Sequence, residues 1–231
     1  KEINDAAAKV DAQVLWDFSH SVGAVPIDVQ SDGVTLAVGC TYKYLNGGPG
    51  APAFIYVRSD QDNLVNPITG WFGTADPFSF DPSSPPASGI ERFLTGTPHV
   101  VSAALIRPGV EMLLEAGMER VYEKSVSLSQ RFIELCDEHL ASLGFEVRSP
   151  RDPEDRGSHV ALFHPDAQAV GLVLINEKSV IPDFRPPDLL RFGFAPLYTS
   201  FADVDLTVSR IMEAVEDGGV DRWRNENPLV P

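Results

Sequence analysis

Two stretches decide the fold: VLWDFSHSVGAVPID at Val14–Asp28 and TLAVGCTYKYLNGGPG at Thr35–Gly50. Val14 to Phe18 is a short apolar run flanked by polar residues, which reads as a buried strand of a parallel sheet. Thr35 to Cys40 reads as the next strand, and Ala53 to Val57 (AFIYV) as a third. Strands at this spacing, joined mostly by short Gly- and Pro-punctuated connections, predict part of an α/β sheet.

Arg58 to Gly96 is dense in Pro, Gly, Ser and Asp and reads as an irregular segment covering a site. From Pro98 to Ala116 the apolar residues Val101, Ala104, Leu105, Val110, Leu113 and Leu114 recur at helical spacing. Thr97 is the expected N-cap before Pro98, with a kink expected at Pro108. A second helix is expected over Met118 to Leu143, with Val121, Val126, Phe132, Leu135 and Leu140 as its apolar positions. The remainder reads as an α+β unit. Strands are expected at Phe145–Arg148, His159–Phe163 and Leu189–Phe194, and a helix at Ala167–Glu177. Ser200 and Asp203 have capping-box spacing before a last helix that runs to about Glu216. This organisation divides the chain into residues 1–96, a connecting helix 97–117, and a smaller C-terminal domain 118–231.

A net charge of −15 argues against nucleic acid and against an anionic membrane surface, both of which call for clustered Lys and Arg. It leaves open a small anionic cofactor bound by a few local donors. The hydrophobic fraction of 43 % and charged fraction of 22 % are those of an ordinary globular protein. Two cysteines without CxxC spacing argue against a zinc site or a disulfide scaffold, and point to a reduced, cytoplasmic setting. The chain begins at Lys1, and KEINDAAAKV reads as the end of a helix. The expectation is that the natural protein is longer.

Two constellations carry chemistry. Asp17 stands at the C-terminal end of the first strand, with His20 three residues on. A carboxylate there needs a cation or hydrogen-bond donors, and the protonated ring nitrogen of pyridoxal phosphate (PLP) is one such cation. An isolated Asp-x-x-His is more often a helix cap with a histidine nearby. The second constellation is Tyr42-Lys43, just after the second strand and before Gly47, Gly48 and Gly50. A lysine in a pocket ionises less readily, and the neutral amine is the nucleophile of Schiff-base chemistry. The glycines let the backbone turn tightly past a ligand, and Tyr42 can donate to a phosphate. Taken singly, Lys43 is an ordinary loop lysine. The order is informative, with an acidic strand end followed 26 residues later by a lysine at the next strand end. It is the order of fold-type I PLP enzymes.

The resemblance goes further. DFSHSVGAVPID at Asp17–Asp28, GCTYKYLNGGPG at Gly39–Gly50, GWFG at Gly70–Gly73, GIERFLTGTP at Gly89–Pro98 and LLRFGFAPLYTSFADV at Leu189–Val204 together resemble kynureninase over most of the chain. This implies an aspartate-aminotransferase-type α/β fold: part of a large PLP-binding domain plus a small α+β C-terminal domain. The implied reaction is hydrolysis of L-kynurenine, or 3-hydroxykynurenine, to anthranilate, or 3-hydroxyanthranilate, and L-alanine. That reaction belongs to tryptophan catabolism and NAD biosynthesis, in a cytoplasmic homodimer.

Within the resemblance Lys43 matches the Schiff-base lysine and Asp17 the partner of the ring nitrogen. His20 matches a histidine that contacts the cofactor, and Tyr42 a phosphate ligand and candidate acid. Trp71 and Thr97 match cofactor- or substrate-contacting positions that the neighbouring subunit often supplies. Arg191 is the candidate for the substrate α-carboxylate, because a guanidinium on a strand binds carboxylate through two N–H groups.

Two departures stand out. Thr74 follows GWFG where the family commonly has His, which leaves the preference between the two substrates open. The family also carries a phosphate-binding loop and a stacking aromatic residue before the Asp strand, so an incomplete site is expected. The competing readings are another fold-type I enzyme such as a cysteine desulfurase, and a catalytically silent folding or dimerisation module.

Overall fold

The protein is described by a computed structural model covering residues 1–226. It divides into two compact units, Lys1–Glu115 and a second from Ala116 onward.

In the first unit a short helix α1 (Glu2–Ala8) precedes three strands, β1 (Leu15–Asp17), β2 (Leu36–Gly39) and β3 (Phe54–Val57). They form one sheet in the order β1-β2-β3. β1 runs parallel to β2, with Asp17 opposite Val38, and β3 runs antiparallel to β2, with Phe54 opposite Gly39. The expected buried strand at Val14–Phe18 needs correction. Leu15 is 59 % exposed, and Asp17 is exposed as well. Successive side chains of a strand point to opposite faces, and only one face here meets a core. That core is small: Phe18, Val34 and Ala37, with Trp16, Ile27, Phe54 and Tyr56 packed around it.

Residues 58–99 are irregular except for a 3₁₀ turn at Gly89–Phe93. Arg92, buried in that turn, organises the segment. Its guanidinium donates to the carbonyls of Leu64 (2.9 Å), Gln61 and Gly89, while the Asn66 side chain donates to the Arg92 carbonyl (3.0 Å). Three carbonyls in divergent directions suit the fixed fork of a guanidinium.

Helix α2 spans Val100–Ala116 and contains Pro108. Thr97 is not its N-cap, since the first helical bond runs from the Ala103 amide to the His99 carbonyl at 2.8 Å. Of the apolar residues that mark this helix in the sequence, Leu113 is buried, whereas Val101 is 78 % exposed and Leu105 61 %.

The second unit holds most of the hydrophobic core. Helix α3 (Met118–Leu135) runs into a π turn at Cys136–Leu140 and a 3₁₀ turn at Ala141–Leu143. The single long helix expected over Met118–Leu143 is thus three segments. β4 (Glu146–Val147), β5 (His159–Phe163), β6 (Asp183–Arg185) and β7 (Leu189–Gly193) form an antiparallel sheet in the order β4-β5-β7-β6. Helices α4 (Ala167–Glu177), α5 (Phe201–Glu216) and α6 (Gly219–Trp223) complete the unit. Val160, Leu162, Leu190 and Phe192 alternate along β5 and β7 and are buried with Leu128, Phe132, Val170, Leu174, Val204 and Ile211 from α3, α4 and α5. The Phe132 ring lies 5.0 Å from that of Phe192 and 5.2 Å from that of Phe194.

Ser200 accepts from the Asp203 amide, and Asp203 accepts from the Ser200 amide, so the expected capping box is formed. The buried Arg156 is held by neutral oxygens, among them Ser129 Oγ and Gln130 Oε1, both at just over 3 Å. No helix among the described residues is long and apolar enough to cross a membrane.

His164 closes the β5–α4 turn. Its ring lies 4.4 Å from the Phe145 ring, and Nδ1 accepts from the Asp166 amide at 3.0 Å. Burial lowers its pKa below the ordinary histidine value. A lowered folded value means that the unfolded chain takes up the proton first as pH falls. The histidine's contribution to stability is therefore complete above about pH 6.5 and is lost below it. Denaturant unfolding between pH 7.5 and 5 should show the parent protein losing stability over that window. His164→Asn keeps an acceptor in place of Nδ1 and should lose markedly less. An equal loss in both would refute this.

Candidate active site

The parallel pairing of β1 and β2 brings the C-terminal ends of both strands to one edge of the sheet, where open α/β sheets place their ligands. Asp17 is the last residue of β1, and Tyr42-Lys43 follows β2 by a few residues. The Ser19 amide donates to Asp17 Oδ1 at 2.8 Å. Hydrogen bonds from Ser19 hold the Asp17 carboxyl below its usual pKa, and the charges of His20 and Lys43 act in the same direction. Both act more weakly than Ser19, and they place the histidine and the lysine within electrostatic reach of the carboxylate. The Cys40 thiol joins the two strand ends by donating to the Ser19 carbonyl at 3.5 Å.

The lysine loop is tightly built. The Gly47 amide donates to the Thr41 carbonyl (2.8 Å), the Asn46 amide to the Lys43 carbonyl (2.9 Å), and Thr41 Oγ1 to the Pro52 carbonyl (2.6 Å). Two glycines outside the loop press on it. A Cβ at Gly23, whose φ is +80°, would come within 2.8 Å of the Tyr44 carbonyl oxygen. A Cβ at Gly109, in the middle of α2, would overlap the Leu45 carbonyl. Lys43 is half-buried. Its Nζ lies 5.4 Å from the centre of the Tyr42 ring, and Tyr42 itself is half exposed.

A cavity of about 280 Å³ reaches Asp17 between Trp16, Phe18, Ser21, Pro26 and Ile27, and neither His20 nor Lys43 lines it. Trp16 donates from Nε1 to Asn4 Oδ1 (2.9 Å) and lies against Phe18.

Trp71 belongs to an aromatic group in the irregular segment. It meets Phe72 and Phe78 edge-on and stacks on Phe80 at 6.2 Å. A cavity of about 520 Å³ opens beside it, with Ile68, Thr74, Asp76 and Asp81 in its wall. Thr97 is exposed just before Pro98. Arg191 lies in the second unit, on β7, where it is paired with Asp183 of β6.

The residues at the sheet edge suit PLP. An ionised and exposed carboxylate is available to a protonated ring nitrogen. A lysine amine lies within electrostatic reach of it, and a tyrosine hydroxyl beside that lysine can donate to a phosphate. Among the described residues, no group of three or more His, Cys, Asp or Glu is arranged to hold a metal ion. Both cysteines are free thiols. Cys136 is buried, which pushes its thiol pKa far up, away from nucleophilic reactivity.

Several residues that shape the site were not singled out in the sequence. Gly109 has a visible signal, a glycine beside a proline in the middle of a helical pattern. Arg92 lies in GIERFLTGTP, but a buried arginine bound only to carbonyls has no local sequence mark. Ser19 stands inside DFSH, and its role depends on the turn after β1.

Residues 121–211 match the sequence model of a family described as Kynureninase C-terminal domain. The chain is 43 % identical to a kynureninase of Pseudomonas fluorescens over 84 % of its own length and 46 % of that protein. It is 38 % identical to a kynureninase of Burkholderia mallei over 96 % of its length and 53 % of that protein. The chain thus spans about half the length of the curated relatives it matches. Similar solved structures include an apo cysteine desulfurase from Thermococcus onnurineus (TM-score 0.79, 19 % identity, 94 % of this chain and 56 % of that one). An alanine–glyoxylate aminotransferase from Nostoc sp. is also similar (TM-score 0.70, 18 % identity, 92 % and 56 %). At these identities the likeness speaks for the fold alone, and the expected α/β class of fold-type I PLP enzymes is borne out.

Replacing Gly109 with Ala should test the clamp on the lysine loop. In an unobstructed helix that change stabilises by about 1 kcal/mol. Here the added methyl meets the Leu45 carbonyl. Thermal unfolding should show a loss of stability, with the hydrogen exchange of residues 41–51 raised. A gain in Tm with unchanged exchange would contradict the clamp.

Proposed function

We propose that this chain, whose residues 121–211 match the kynureninase C-terminal domain family, takes part in PLP-dependent hydrolysis of L-kynurenine or 3-hydroxykynurenine. The observation that carries the proposal is the 38–43 % identity to kynureninases over most of the chain. The grouping of Asp17, His20 and Lys43 at one sheet edge supports it from the side of the chemistry. A desulfurase would need a reactive thiol on an open loop. Cys136 is buried, and the Cys40 thiol is bonded to the Ser19 carbonyl.

In this reading Asp17 accepts a hydrogen bond from the cofactor's ring nitrogen and keeps that nitrogen protonated. His20 contacts the ring, and Tyr42 donates to the phosphate. Trp71 and Thr97 serve the cofactor or the substrate, as the matching positions of the family do from a neighbouring subunit. PLP would be held through Lys43 and, once the substrate amine has displaced the Lys43 amine, would supply an electron sink for negative charge at the substrate Cα. Lys43 takes the proton from Cα. Tyr42 donates a proton towards the γ-carbonyl oxygen as water adds there. The Cβ–Cγ bond then breaks, and anthranilate, or its 3-hydroxy form, and L-alanine leave. Arg191 binds the substrate α-carboxylate. The reaction takes place in the cytoplasm, within tryptophan catabolism and NAD biosynthesis.

A homodimer belongs to the same reading. Val101, Leu105 and Met112 form one exposed apolar stripe on α2, an unusual surface for a protein that works as a monomer. Sedimentation should give a dimer, and Val101→Asp with Leu105→Asp should shift it towards the monomer. A monomeric parent protein would contradict this.

Lys43→Ala should reduce anthranilate release, read by fluorescence, by at least about 10³-fold, as expected when a covalent catalytic group is lost. PLP affinity should fall much less, because the contacts to phosphate and ring nitrogen survive. Retained turnover would overturn the assignment of Lys43. Alanine formed from L-cysteine but not from kynurenine would overturn the substrate class.

A further inference from the structure

We infer that Asp183 is a positioning residue that sets the guanidinium of Arg191 for a carboxylate ligand. The inference rests on the reading that Arg191 binds the α-carboxylate of an amino-acid substrate. Antiparallel pairing of β6 with β7 puts Asp183 directly opposite Arg191. Asp183 Oδ2 accepts from Arg191 Nη2, and the same oxygen accepts from Arg185 Nε at 3.0 Å and lies 2.9 Å from Arg185 Nη2. One carboxylate oxygen thus bridges two guanidinium groups from neighbouring strands.

The backbone under this bridge is rigid. Leu190 and Phe192, on either side of Arg191, are buried in the core of the second unit. Their burial fixes the strand and turns Arg191 to the opposite face. The Arg191 side chain is 25 % exposed, so part of the guanidinium still faces solvent. A guanidinium has five N–H donors, and the Asp183 bond engages Nη2. Donors remain for an incoming carboxylate, in an orientation that Asp183 defines.

Charge points the same way. Two cations share one anion, which leaves this cluster with positive charge to spare and favours an anionic ligand. Without Asp183 the two guanidinium groups would repel, and Arg191 would recover the rotamer freedom that a bound ligand must then remove. Loss of Asp183 should therefore weaken binding of the carboxylate in ground state and transition state alike, raising KM with little change in kcat.

The test uses the PLP-loaded enzyme. Asp183→Asn should raise KM for kynurenine about tenfold, the size of one hydrogen-bond contribution. The Kd for L-alanine, read by titration of the cofactor's absorbance, should rise equally. kcat should stay within about twofold. Asp183→Glu keeps the carboxylate and should recover part of the loss, and it decides the matter if the Asn variant folds poorly. Arg191→Ala should raise both constants further, and adding Asp183→Asn to it should change nothing more.

If Arg191→Ala leaves the affinity for L-alanine unchanged, the reading of Arg191 itself is wrong. If Arg191→Ala weakens binding while Asp183→Asn does not, Arg191 stands and the positioning role of Asp183 falls. That role falls equally if the Asp183→Asn loss persists undiminished beside Arg191→Ala, or if it appears in kcat rather than KM.

Discussion

Parallel pairing of β1 with β2 is the constraint on which the candidate site depends. Antiparallel pairing would send the ends of the two strands to opposite edges of the sheet. In the parallel register Asp17 lies opposite Val38, so the residues after both strands emerge on one side. The cost of that arrangement is a long connection, since a parallel crossover cannot be closed by a two-residue turn. The segment between Phe18 and Thr35 serves that purpose, and it brings Gly23 against the lysine loop. Topology and site are one feature here: the crossover that allows the strands to run parallel also supplies a wall for the loop after β2.

The two units meet different physical demands. The second encloses a continuous core in which alternating strand residues and helix stripes interlock, and its polar interior is satisfied by bridges such as Arg156 to neutral oxygens. In the first unit the sheet core is three buried residues and their partly buried neighbours. Its order relies on backbone contacts, on glycines that admit close approach, and on a few side chains that bind carbonyls.

That difference explains how much of each unit is legible in the sequence. In the second unit the pattern determines the structure, and the helix Ala167–Glu177, the strand His159–Phe163 and the capping box at Ser200 and Asp203 lie where their residues imply. Short elements leave no such trace. β6 has three residues and α6 five, too few to show a period; β6 is held by the β7 strand that follows it, and α6 by α4, far earlier in the chain. In the first unit the elements are legible and their burial is not. VLWDF reads as a buried strand, yet Leu15 faces outward, because periodicity reports an apolar face and not the layer that covers it. The order of Asp17 and Lys43 is visible in the sequence. The part played by Ser19 in keeping Asp17 ionised is not, since it depends on how the chain turns after β1.

In the irregular segment one side chain, Arg92, stands in for a core. Carbonyls from Gln61, Leu64 and Gly89 all converge on it, so the ends of the segment share one fastening point. Such a segment is released as a whole, because losing the hub frees all three attachments together. A lysine could not replace it, since a single ammonium cannot span divergent acceptors as a planar fork does. Cooperativity of that kind is usually ascribed to apolar packing. Here it arises from polar valency, and proteolytic nicking of the segment would track a single opening event rather than a gradual fraying of its loops.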